Sequence, residues 1–137
     1  MNKVVFLLVP LVAVLLPLLV LAQGDLPRYR DKNRLLLIFA PSRSDPRWQK
    51  QNALLQNSGA AFQYRDLVRL DYLETGGTPG TAIRSRYGVK PSQFRVLLIG
   101  KDGHVASGGP TPIALSKLME QIDRMPMRRE EMRRRGR

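Results

Sequence analysis

The sequence predicts a single α/β domain, a small open sheet with helices on both faces. Three observations predict it. Leu35 to Ala40 is an unbroken apolar run, as expected of a short central strand covered on both sides. Strand-like and helix-like segments then alternate, with proline, glycine and polar clusters between them. Once an apolar leader is set aside, 115 residues remain, enough for one continuous core and too few for two.

The leader is residues 1–22. Met1 to Lys3 is a short basic start, Val4 to Leu21 is apolar apart from Pro10 and Pro17, and Val20-Leu21-Ala22 is a small-residue cleavage pattern. This predicts a signal peptide cut after Ala22 and an exported protein, periplasmic or extracellular, with no transmembrane segment after cleavage. The alternative is an uncleaved N-terminal anchor, since the apolar stretch nearly reaches the roughly 20 residues that span a bilayer. Residues 23–33 form a polar leader to the domain, residues 34–124 the domain itself, and residues 125–137 a basic C-terminal tail.

Within the domain, Leu35 to Ala40 is the first strand. Asp45-Pro46 supplies an N-cap and a first-turn proline for a helix carrying Trp48, Asn52 and Leu55 on one side with Gln51 near them, and Asn57-Ser58-Gly59 ends it with a left-handed cap. Arg65 to Leu73 alternates enough to form a second strand. The loop Thr75 to Gly80 precedes a short helix, Thr81 to Tyr87, closed by Gly88. Phe94 to Ile99 is a third strand, and Lys101-Asp102-Gly103 turns the chain into a fourth, His104 to Ser107. Thr111 is placed to cap a last amphipathic helix whose Ile113, Leu115, Leu118, Met119 and Ile122 face inward. The order β-α-β-α-β-β-α is that of a minimal thioredoxin-like fold, which by itself implies no activity.

The segments "RLLLIFAPSRSDPRWQKQ", "FRVLLIGKDGHV" and "LMEQIDRMPMRREEM" together resemble the family called domain of unknown function 4174, found in exported bacterial proteins and similar to domains of secreted animal extracellular-matrix and sushi-repeat proteins. The likeness runs from Arg34 to Met132, with "IGKDG" and "IDRMPMRREEM" its most specific parts. It implies a thioredoxin-like, peroxiredoxin-related fold and brings no established catalytic residue with it.

A thioredoxin carries Cys-x-x-Cys where strand one meets helix one. Here Ser44-Asp45-Pro46-Arg47 occupies that place, and the chain has no cysteine. Dithiol exchange needs a thiolate, and a serine hydroxyl offers neither the pKa nor the redox chemistry. Peroxide reduction consumes a cysteine thiolate and is excluded on the same ground, as is a thiol oxidoreductase of any kind. Two readings of the loop remain. In one, Asp45 caps the helix while Ser42 and Ser44 bond the turn. In the other, the helix start with Ser42, Arg43, Ser44, Arg47 and Arg95 meets a ligand carboxylate or phosphate. Taken alone, Arg95 reads as a solvated strand arginine. No proline immediately precedes the third strand where a thioredoxin has its cis-proline, so the substrate-binding edge is altered too.

The only histidine, His104, reads as an exposed turn residue beside Asp102, and two groups are too few to hold a structural metal, so neither a metal nor a cofactor is expected. "GGTPGTAIRS" lacks the Lys-Ser or Lys-Thr of a phosphate-binding loop. The net charge is +12, and the segment from Arg124 onward holds seven arginines against Glu130 and Glu131. Met127 to Arg135 can form a short helix with Arg128 or Arg129 near Glu131. Arg128, Arg129, Arg133, Arg134, Arg135 and Arg137 are the candidate contacts for an anionic surface. Nucleic acid is not expected as the partner, because export removes the chain from the cytoplasmic pool.

The sequence therefore predicts an exported, noncatalytic thioredoxin-like domain, a binding or structural module of the cell envelope whose partner is an unidentified protein or envelope polymer. The alternatives are a cysteine-independent enzyme using the loop 41–47, or a basic surface-adhesion protein acting through its tail.

Overall fold

The structure, a computed structural model, describes residues 26–136, so the expected signal peptide and Arg137 lie outside it. A 3-10 turn, Leu26–Tyr29, leads into β1, Arg34–Ala40; α1, Pro46–Leu54, and α2, Gly59–Tyr64, then carry the chain to β2, Leu67–Leu73. After α3, Thr81–Tyr87, come β3, Arg95–Ile99, and β4, Val105–Gly109, followed by α4, Leu115–Asp123, and α5, Pro126–Arg135. The four strands lie in the order β2-β1-β3-β4, with β1 parallel to β2 and antiparallel to β3, and β3 antiparallel to β4.

Every residue of β1 is buried, Leu35 to Ala40 as their apolar composition requires of a strand with neighbours on both edges and layers on both faces, and Arg34 with them. The period of two divides its side chains between two cores. Leu36, Ile38 and Ala40 join Val96, Leu98, Leu55, Phe62, Leu118 and Ile122 under α1, α2 and α4. Leu35, Leu37 and Phe39 join Leu97, Ile99, Ile83 and Val89 under α3 and the 3-10 turn. The sheet with helices on both faces is the predicted architecture.

Local chemistry explains the boundaries. Asp45 caps α1 by accepting the Arg47 N–H, and Pro46 takes the first turn. Gly88, at φ +66°, closes α3 in the left-handed conformation that glycine adopts without a Cβ penalty. Gly108 is required for another reason: a Cβ there would stand 2.5 Å from Leu97 Cδ2 across the β3–β4 pair.

Several boundaries differ from expectation. The first helix stops at Leu54, and although Asn57 is left-handed at φ +57°, Ser58 leads into α2 instead of ending the unit. Asn52 is exposed, while Gln51 is buried: its side chain donates to Ile113 O at 2.9 Å and accepts from Ile113 N at 2.8 Å. That reciprocal pair engages both backbone groups of Ile113, and Ala114 is extended, so the last predicted helix begins at Leu115 with Ala114 at its cap, not Thr111. The second strand starts at Leu67, and the fourth runs from Val105 to Gly109.

Candidate functional site

The thioredoxin-type position is the loop after β1 and the start of α1. Ser42 Oγ and Ser44 Oγ are 2.8 Å apart, and Asp45 N donates to Ser42 O at 3.2 Å, which closes the turn. Asp45 Oδ1 accepts from Arg47 N and Arg47 Nε, each at 2.9 Å, and Asp45 Oδ2 accepts from Arg47 Nη2 at 2.7 Å. The guanidinium of Arg47, bonded to both carboxylate oxygens, holds the Asp45 carboxyl below its usual range. The positive end of α1 thus faces a carboxylate of the chain itself, and Arg47 already has its anion. Arg43 is exposed.

Arg95 stands opposite Phe39 in the β1–β3 register, so it lies on the α3 side of the sheet, whereas α1 covers the other side. It is half-buried, with a buried Nε that has no hydrogen-bond partner. Ser42, Ser44 and Arg47 are brought together around Asp45, and none of their polar contacts involves Arg95.

Two arrangements at this end of the sheet escaped sequence reasoning. Arg84 of α3 is buried beneath the ends of β1 and β2. It donates to Ala40 O at 2.7 Å, Tyr72 O at 3.0 Å, Pro79 O at 2.9 Å and Lys90 O at 3.1 Å, with Glu74 Oε2 3.6 Å away. Burial pulls its pKa down and Glu74 pushes it back up. Trp48 of α1 donates to Asp71 Oδ2 at 2.7 Å, and the same carboxylate takes two bonds from Arg69, whose Nη1 reaches Asn52 Oδ1. A lone arginine in a short helix, or an arginine and aspartate on an outer strand, carries no sequence signal of such closure.

The tail is a helix docked on the domain. Arg128 is fully buried, stacked over the Tyr64 ring at 4.4 Å and bonded to Asp123, Glu131 and Tyr64 O. This corrects its assignment as a polyanion contact: its guanidinium is enclosed and occupied by the protein's own carboxylates. Glu131 also accepts from Arg34 Nη2 at 3.1 Å and Lys101 Nζ at 2.7 Å, and Lys101 binds Asp66 as well. Burial raises the Glu131 pKa, but the hydrogen bonds of Lys101 and Arg34 outweigh it and bring the carboxyl to about 2. Arg135 donates to Tyr64 O at 2.8 Å while remaining exposed, and Arg133 and Arg134 pair with Glu130 on the outer side. Arg129 is exposed beside them. His104 is 81% exposed, its Nδ1 3.5 Å from Asp102. Among the described residues no three His, Cys, Asp or Glu side chains group as metal ligands, and no helix is long and apolar enough to cross a membrane.

The signature of a family described as domain of unknown function (DUF4174) matches residues 25–131. Coiled-coil domain-containing protein 80 of Danio rerio is 31% identical over 136 residues, covering 80% of this chain but 16% of that protein. Among solved structures, the reduced 2-Cys peroxiredoxin of Plasmodium vivax superposes with a TM-score of 0.60 at 18% identity, covering 78% of this chain and 84% of that one. Thioredoxin peroxidase I of Plasmodium yoelii gives 0.57 at 16% identity, over 78% and 79% of the two chains. The exposed lipoprotein thioredoxin Etrx1 of Streptococcus pneumoniae gives 0.52 at 15%, over 73% and 90%. At these identities the structural likeness concerns the fold, which is thioredoxin-like.

Proposed function

The chain belongs to the DUF4174 family, and from that premise we propose that it is an exported thioredoxin-like module that acts by binding rather than by catalysis in the cell envelope. One observation carries this reading: where a thioredoxin holds its reactive sulfur, Asp45 caps α1 and clamps Arg47, and the chain has no thiol anywhere. A helix start that faces its own carboxylate repels a second anion, so the loop supports the capping reading over a ligand site.

The outer side of α5 supports an anionic partner for this module. Arg129, Arg133 and Arg134 project from a helix that Arg128 and Glu131 fix to the domain. Glu130 offsets part of that charge.

Purified protein tested for insulin reduction with dithiothreitol and for peroxide consumption should match buffer blanks. Turnover above blank in a homogeneous preparation would overturn the noncatalytic part of the proposal. Fractionation of cells expressing the full chain should find it outside the cytoplasm, and deletion of residues 1–22 should retain it inside; equal distribution of the two would overturn export.

A further inference from the structure

At the end of the sheet opposite the loop 41–47, on the α3 side, lies a cleft of about 220 Å³. Its floor is Leu35 and Ile99, the outermost apolar residues of β1 and β3 on that face. The 3-10 turn, the C-terminal end of α3 and the β3–β4 hairpin supply the walls. These walls are tied together: Asp31 N donates to Lys101 O at 2.8 Å, Asn33 N to Tyr29 O at 2.8 Å, and Gly100 N to His104 O at 2.9 Å. The hairpin is further set by Asp102 Oδ1, which accepts the His104 N–H at 3.0 Å.

The cleft has two unlike parts. Leu26, Pro27, Tyr29 and Tyr87 give it an apolar and aromatic surface. Arg30 and Arg86 stand in its rim as exposed cations that pair with no carboxylate among the described residues; Arg86 lies only over the Tyr87 ring, at 5.6 Å. Gly103, at φ +83°, passes close to Arg30, so that even a Cβ there would come within 3.9 Å of Arg30 Nε. The one carboxylate in the wall, Asp102, already holds the hairpin and leaves the pair of guanidiniums in excess.

We propose that this cleft binds a small single-ring acid, its ring against Tyr29 and Tyr87 and its carboxylate between Arg30 and Arg86. Size and chemistry select this class. The volume lies below the roughly 300–1,000 Å³ of sites for drug-sized molecules, which admits one ring. Aromatic faces beside aliphatic side chains favour a flat or puckered ring, and guanidiniums favour a planar carboxylate that can take two parallel N–H bonds. Asp102 accepts a hydroxyl of the ring when one is present. The site is separate from the α1 start and independent of whether that loop binds anything.

Calorimetric titration of the full chain with benzoate and with glucuronate tests the proposal, with benzamide and glucose as the neutral counterparts. Saturable one-to-one binding of at least one acid is expected, with its neutral counterpart at least about tenfold weaker, a difference of about 1.4 kcal/mol. Benzoate alone would make the ring aromatic, and glucuronate alone would make it a sugar. The Arg30→Gln/Arg86→Gln double variant should lose about tenfold or more in affinity while its thermal unfolding stays unchanged, and Arg124→Gln, remote from the cleft, should bind as the parent does. Saturation by neither acid, equal binding of the neutral compounds, or full affinity in the double variant would overturn the proposal.

Discussion

Glu131 gathers three cations, Arg34, Lys101 and Arg128, on one partly buried carboxylate. Its folded pKa, about 2, is depressed from an ordinary value of 4.5, so the stability it supplies is fully present above about pH 4.5 and is lost as the pH falls through about 2. Glu131→Gln should therefore destabilise the protein at neutral pH by about 2–3 kcal/mol in urea unfolding, because it leaves Arg34 buried without a carboxylate and Arg128 buried with Asp123 alone. The variant should also show a flatter acid limb between those pH values, with Asp123, whose carboxyl is likewise held low by Arg65, accounting for part of what remains. An unchanged acid limb would mean that Glu131 is not ionised by these neighbours. Arg84 presents the complementary case, a cation satisfied by carbonyl oxygens of four separate residues. Arg84→Lys keeps the charge but loses the planar fork, and a cost of about 2 kcal/mol or more is expected from thermal unfolding.

The elements differ in how far they depend on local chemistry, and this decides which of them can be read from sequence. β1 is written in a continuous apolar run, the start of α1 in Asp45-Pro46, and the end of α3 in Gly88, each a rule that acts within a few residues. The short helix α2 has no side-chain cap and only one buried residue, Phe62, so its helical state is imposed by packing rather than by its own composition. The delayed start of α4 depends on a hydrogen-bonded pair between residues 62 positions apart, Gln51 and Ile113, which no local pattern reveals. The same holds for Arg34, Arg84 and Arg128: an arginine looks like a surface residue until the fold closes around it. In the candidate site, the Asp45 cap was legible because its partner is two residues away, whereas the face occupied by Arg95 required the β1–β3 register. Three element-scale outcomes follow from the packing. Leu98→Ala, in a side chain 2% exposed, should cost about 2–5 kcal/mol, and a loss below about 0.5 kcal/mol would contradict its place in the core. Truncation after Met125 removes Arg128 and Glu131 together and should destabilise severely, since buried Arg34 loses its carboxylate and Lys101 keeps only Asp66. Truncation after Met132 removes the exposed Arg133, Arg134 and Arg135, with the Arg135 contact to Tyr64 O, along with the last two residues, and should lower stability by less than about 1 kcal/mol.

At the scale of the whole molecule, the net charge of +12 is divided between two tasks. Arg34, Arg84 and Arg128 are buried and bind carbonyls and carboxylates of the fold, so they add little to the field outside. Arg129, Arg133 and Arg134 lie exposed on α5, where an anionic surface can approach several cations at once. Each basic residue near such a surface contributes on the order of 1 kcal/mol, screened by salt. Glu130, paired with Arg133 and Arg134, subtracts from the total. Replacing these three arginines by glutamine should therefore weaken cosedimentation with vesicles rich in anionic lipid by about tenfold at low salt. The difference should shrink at physiological salt, because the Debye length there is about 8 Å. Melting temperature should stay within about 2 °C of the parent, since surface substitutions outside buried contacts change stability by about 0.5 kcal/mol or less. Arg128→Gln supplies the opposite signature, a large fall in melting temperature from the loss of a buried cation between Asp123 and Glu131. Unchanged vesicle binding in the triple variant would remove α5 as the contact, and a marked loss of its stability would assign those arginines to the fold instead.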